Sequence, residues 1–227
     1  MNKFVSLFKK PTTLILLLIA FSFSSLIIII ALFMGQEAGN FVVEVESGDV
    51  SKNLHIAEDI NDHDYVSRLE AESFEGMSHS TFARFESKIG DYVETKGAYI
   101  DKERHVYSYT FYIINHSEET FDIRSTMFFS NVTKELDSAI RVMTITEQAG
   151  MRCYQLPDEV ETDYGADYPP IHYFADDDTI FREDYASVKP NEYIKYTIVV
   201  WLEGKDLDCN DDRRLGTIKF SLKLAIL

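Results

Sequence analysis

The sequence predicts an all-β body, an antiparallel two-sheet sandwich, behind one N-terminal transmembrane helix. Three observations point to it. From Phe41 to Leu227, segments of alternating apolar and polar residues recur between turn signals, with no regular helical periods separating them. Sixteen Phe and thirteen Tyr supply the bulky rings that fill the space between two sheets. Residues 12–34, TTLILLLIAFSFSSLIIIIALFM, carry no charge.

As a helix, 12–34 reaches about 34 Å, against a hydrocarbon core of about 30 Å. It is apolar all round rather than amphipathic, and a helix satisfies its own backbone inside lipid. Lys3, Lys9 and Lys10 precede it, and Glu37 is the first charge after it. The positive-inside tendency then makes 1–11 a cytoplasmic tail, 35–40 a linker and 41–227 an extracellular domain. The protein is expected in the cell membrane as a single-pass chain, with the lipid bilayer as its partner through 12–34. A cleaved signal peptide is the competing reading, and it makes the body a secreted protein. Signal cores run about 7–15 residues and end in a small-x-small site. This run is longer, and the exit Phe33-Met34-Gly35-Gln36-Glu37-Ala38-Gly39 carries only weak sites of that kind.

Along the body, Phe41–Ser47 alternates Val43 and Val45 with Glu44 and Glu46, a half-buried strand, and Gly48-Asp49 turns it. Lys52–Ala57 reads as a second short strand. An insertion around 58–97 follows, in which Asp64–Phe74 reads either as a short helix or as an acidic loop over a sheet edge. His105–Asn115 is the most strand-like segment, with aromatic and β-branched residues on both faces. His116–Glu119 reads as a hairpin loop into Phe121–Ser130. Thr133–Ser138 suits one helical turn, Ile140–Glu147 a strand, and Gln148-Ala149-Gly150 a turn into Met151–Leu156. Residues 157–170 form an acidic, Pro-containing excursion. Tyr193–Glu203 is a long strand. In Thr217–Leu227 five apolar side chains share one face, which only a strand allows.

The formal net charge is −16, and all 38 acidic residues lie after position 36 with 19 of the 22 basic ones, leaving that part at −19. Such a surface disfavours nucleic acid and anionic lipid. Cys153 and Cys209 are an even pair, which outside the cytoplasm permits one disulfide; two separate buried thiols are the alternative.

No catalytic pattern emerges. HExxH, GxSxG, GxGxxG and the Walker loop are absent, and His55, His63, His79, His105, His116 and His172 are dispersed. Paired acids such as Asp176-Asp177-Asp178 are too common here to single out two for sugar hydrolysis. No cofactor is expected, with calcium the one candidate ion. Asp206, Asp208 and Asn210 have the D-x-D-x-N spacing that turns three oxygens toward a hard cation, with Asp212 as a further ligand. The match to a calcium loop stops there: Asp211 stands where glycine is needed and Thr217 where glutamate is. An acidic hairpin loop is the alternative.

Gly39-Asn40-Phe41-Val42-Val43, Tyr109-Thr110-Phe111-Tyr112, Asp137-Ser138-Ala139-Ile140-Arg141-Val142-Met143 and Trp201-Leu202-Glu203-Gly204-x-Asp206-x-x-Cys209 resemble a group of exported proteins of Gram-positive bacteria and their wall-less relatives. That group is distantly similar to the TasA/camelysin class. The resemblance spans most of Gly39–Leu224 and rests on structural rather than catalytic motifs. It implies a jelly-roll-like surface protein, built into matrix fibres in some relatives. The expected function is a membrane-anchored cell-surface sandwich with a structural, adhesive or interaction role, meeting other surface proteins or copies of itself, and not an enzyme. The alternatives are a secreted fibre subunit and a camelysin-like surface protease.

Overall fold

The computed structural model describes residues 15, 19, 21–25, 41–46, 48, 53–61, 65–71, 78–157, 162–210 and 216–227. The chain divides into two compact units, Met1–Ala38 and Gly39–Leu227. In the first, Ile15, Ile19 and Phe21–Ser25 are helical. The rest of the expected 12–34 span lies outside the described residues, and among the described residues no helix is long and apolar enough to cross a membrane.

The second unit is mostly β and holds two mixed sheets. Its strands are β1 (Phe41–Val45), β2 (Leu54–Ala57), β3 (Arg68–Ala71), β4 (Gly97–Asp101), β5 (Val106–Asn115), β6 (Phe121–Val132), β7 (Ile140–Thr146), β8 (Gly150–Gln155), β9 (Ile171–Tyr173), β10 (Thr179–Val188), β11 (Tyr193–Leu202) and β12 (Ile218–Ile226). One sheet runs β10-β6-β12-β1-β3; the other runs β2-β5-β11-β7-β8-β9, with β4 also on β5. Their facing sides share one core. Phe41 of β1 meets Tyr109 of β5 edge-on at 5.2 Å, and Phe181 of β10 meets Tyr154 of β8 at 4.9 Å.

The expectation of purely antiparallel pairing is corrected in two places. β1 pairs with β12 in parallel, Phe41 opposite Phe220, and β8 pairs with β9 in parallel, Cys153 opposite Ile171. A parallel pair needs a long crossover, and the chain from β1 to β12 and the 156–170 connection both supply one. Asp64–Phe74 is neither helix nor loop throughout: β3 lies within it and pairs with β1 through Val43–Leu69 and Val42–Glu70. The 116–120 loop is not a hairpin turn, because β5 and β6 belong to different sheets. It arches between them. Asn115 holds the arch by donating from Nδ2 to the carbonyls of Glu119 (2.7 Å) and Val188 (2.9 Å) and accepting from the Ser117 amide.

β5 is buried on both faces for a reason the chain supplies locally. Short helices α1 (Phe82–Phe85) and α2 (Ile89–Val93) lay Phe82, Phe85 and Tyr92 over the outer side of the second sheet. There they close a second cluster with Val106, Met143, Cys153, Val199 and Trp201. Thr110 anchors α2 by donating to the Tyr92 carbonyl at 3.1 Å. A one-turn helix at Leu136–Ser138 falls inside the segment expected to make one.

Candidate functional site

Arg141 shares the outer face of β7 with Met143 and Ile145, and its side chain is fully buried. A guanidinium withdrawn from water needs its charge and its donors met together. Nη2 donates to Asp206 Oδ2 at 2.6 Å and to the Tyr164 hydroxyl at 2.8 Å; Nη1 donates to the carbonyls of Ile140 and Ser138 at 3.2 and 3.4 Å. The group also lies 5.6 Å from the centre of the Tyr164 ring.

Asp206 heads the D-x-D-x-N run, and its geometry is that of a self-bonded turn. Oδ1 accepts the Asp208 amide at 2.8 Å, the Asp206 carbonyl accepts the Cys209 amide at 3.0 Å, and the Asp208 carbonyl accepts the Asn210 amide at 2.9 Å. The first carboxylate therefore faces inward onto a cation of the fold. Asp206 and Asp208 share this turn, Asn210 closes it through its backbone, and Asp212 lies outside the described residues. Among the described residues, no group of three or more His, Cys, Asp or Glu is placed to hold a metal.

Beside it, buried Glu203 accepts from Trp201 Nε1 at 2.9 Å and from the Lys205 amide at 3.1 Å. Burial raises its pKa, while the Trp201 bond opposes that. Cys153 donates from Sγ to the Tyr168 hydroxyl at 3.7 Å, and burial pushes its thiol up to about 12, which keeps it protonated and unreactive. Of the two arrangements the sequence permits for Cys153 and Cys209, the structure holds separate free thiols. Cys153 belongs to the outer cluster under the helices, whereas Cys209 packs against the core between the sheets.

Tyr168 stacks on Tyr164 with ring centres 4.6 Å apart. Lys205 Nζ donates to the carbonyls of Asp163 and Tyr164, at 3.3 and 3.2 Å, and ties that loop to the Asp206 turn. Next to the stacked rings opens a cleft of about 550 Å³, lined by Thr162, Asp163, Tyr164, Gly165, Tyr168, Pro169 and Ile171. That size and lining suit a ligand side chain or a small molecule.

A second polar centre sits between the sheets. Glu183 of β10 is 3% exposed. Its Oε1 accepts from the Tyr154 hydroxyl at 2.5 Å and from Thr144 Oγ1 at 3.1 Å, with Arg152 Nη1 at 3.5 Å. Its Oε2 accepts from the hydroxyls of Tyr196, at 2.8 Å, and Tyr185. Burial raises the pKa of all three tyrosines, so they stay protonated donors.

The spacing of acids did not disclose Arg141, Tyr164 or Glu183. The signal that does is a charge on an apolar period: Arg141 in phase with Met143 and Ile145, Glu183 in phase with Phe181 and Tyr185.

No family model matches this chain, and no curated protein matches it. Among solved structures, a β-glucosidase from Kluyveromyces marxianus in complex with glucose is similar at a TM-score of 0.28 and 9% identity, over 77% of this chain and 16% of that one.

Proposed function

We propose that this chain is a membrane-anchored, outward-facing protein whose jelly-roll-like sandwich plays a structural, adhesive or interaction role at the cell surface and performs no chemistry itself. One contrast supports the reading. Buried groups capable of chemistry are closed on partners of the body: Arg141 on Asp206, Glu183 on three tyrosines, Glu203 on Trp201, Cys153 on Tyr168. The cleft by contrast offers rings, a proline, an isoleucine and one carboxylate, a lining suited to holding rather than converting. The uncharged 12–34 stretch and the acidic balance of the remainder support the placement.

Protease applied to intact cells tests this. The body is expected to be digested from whole cells while 1–34 stays with the membrane fraction. A body that resists until the cells are lysed overturns the proposal.

A further inference from the structure

β9 is a strand with one side unused. Its parallel pairing is to β8 alone, with the Pro170 carbonyl accepting the Cys153 amide and the Phe174 amide donating to the Gln155 carbonyl, each at 3.0 Å. Main-chain groups alternate in direction along a strand, so those bonds turn the N–H and C=O of Ile171 and Tyr173 to the opposite side. Among the described residues none of these four groups has a partner. Proteins cover or charge such an edge. Here it carries Ile171 and Tyr173, 40% and 61% exposed. Both lie on the same face as Cys153 and Gln155, and Ile171 also lines the cleft beside Tyr164 and Tyr168.

Cations near this edge are engaged: Lys205 on the carbonyls of Asp163 and Tyr164, Arg152 near Glu183 and Arg182 on Asp176. Asp163 and Asp167 precede β9 and Asp177 and Asp178 follow it, all exposed, and among the described residues none of the four forms a side-chain ion pair. Asp176, in the same run, is already held by Arg182 at 2.9 Å. Unpaired main-chain groups, a cleft of mixed lining with tyrosine rings and Ile171 alongside, and exposed carboxylates at both ends call for one kind of occupant.

We propose that β9 and the adjoining cleft dock an extended peptide segment of another protein, one that alternates lysine or arginine with apolar residues. It adds to the sheet by bonding to the main chain of Ile171 and Tyr173, places one apolar side chain in the cleft, and sets its cations against Asp163, Asp167, Asp177 and Asp178. The proposal rests on the interaction role given above and names the chemistry of the partner.

The probe is the acetylated, amidated heptapeptide Lys-Val-Lys-Phe-Lys-Val-Lys, titrated by fluorescence anisotropy into the full chain in non-ionic detergent. The comparison is the same peptide with every backbone nitrogen methylated, which keeps its charge and removes its main-chain donors. The unmethylated peptide is expected to bind at least tenfold more tightly and to slow hydrogen exchange at the Ile171 and Tyr173 amides. Tyr173→Pro, which removes an edge donor not used by β8, is expected to weaken it at least tenfold. Equal affinity for the two peptides, no binding at millimolar peptide, or unchanged exchange at both amides overturns the proposal. The peptide pair probes wild-type protein, so the test stands if Tyr173→Pro does not fold. Digestion of intact cells judges the surface role independently of either outcome.

Discussion

Arg141 and Glu183 are both ionisable side chains buried in a β body, and they are accommodated in opposite ways. Arg141 has a counter-charge, Asp206, on a turn outside the sheet, with the Tyr164 ring and hydroxyl and two carbonyls also against it. Glu183 is surrounded chiefly by neutral hydroxyls, and its cation, Arg152, is half-exposed and distant at 3.5 Å. The first arrangement is an ion pair that fastens a loop to a strand. The second joins β10 of one sheet to β7, β8 and β11 of the other, so it fastens layer to layer. An ion pair fails when either member loses charge, because the survivor is stranded in low dielectric. A ring of hydroxyls can reverse its donors and tolerate a neutral centre.

The sharpest way to break that contrast is at the turn. Asp206→Asn should lower the unfolding free energy by about 3–5 kcal/mol, the cost of leaving a buried cation unpaired. Adding Arg141→Met should restore much of it; urea unfolding of both variants checks the pair. In the other centre, Tyr196→Phe removes one donor to Glu183 and should cost about 1–3 kcal/mol by the same measurement. Glu183→Gln should cost less than Asp206→Asn, and a larger loss at Glu183 would erase the distinction drawn here.

Acid sensitivity sharpens the comparison from outside both centres. His55 lies with its ring 5.7 Å from that of His116, and burial, then the His116 charge, lowers its pKa below 6.5. The folded body thus binds fewer protons than the unfolded chain in that window. The stability this group confers is complete above pH 6.5 and declines as pH falls below it. Thermal melts between pH 7.5 and 5 should show the decline, and His55→Gln should flatten it. A slope that survives in His55→Gln assigns the sensitivity to a group other than His55. The smallest effect is expected at the exposed Arg124–Asp184 pair across β6 and β10. Asp184→Asn should leave the melting temperature unmoved, since solvent already screens that contact.

Legibility in the sequence followed periodicity. β5, β11 and β12 are long and keep an apolar phase, and they stand where alternation puts them. β10 escaped because Arg182-Glu183-Asp184 interrupts its apolar face with the carboxylate that bridges the sheets. β9 escaped because three exposed residues carry no pattern. Which sheet a strand joins is not a local property, so the β5–β6 arch read as a hairpin. The Asp206 turn shows the same limit at a site. Its spacing is that of a cation loop, but the cation it faces is Arg141, 65 positions earlier. Nothing near Asp206 announces that partner.

The parallel register of β1 beside β12 has a consequence for assembly. β12 is the middle member of its sheet, wedged between β6 and β1. Until it emerges, Phe41 and Val43 have no neighbour on that flank, and β6 has none on its own. The earliest and latest threads of the weave are thus knotted last, so closure should be slow and governed by that one distant encounter.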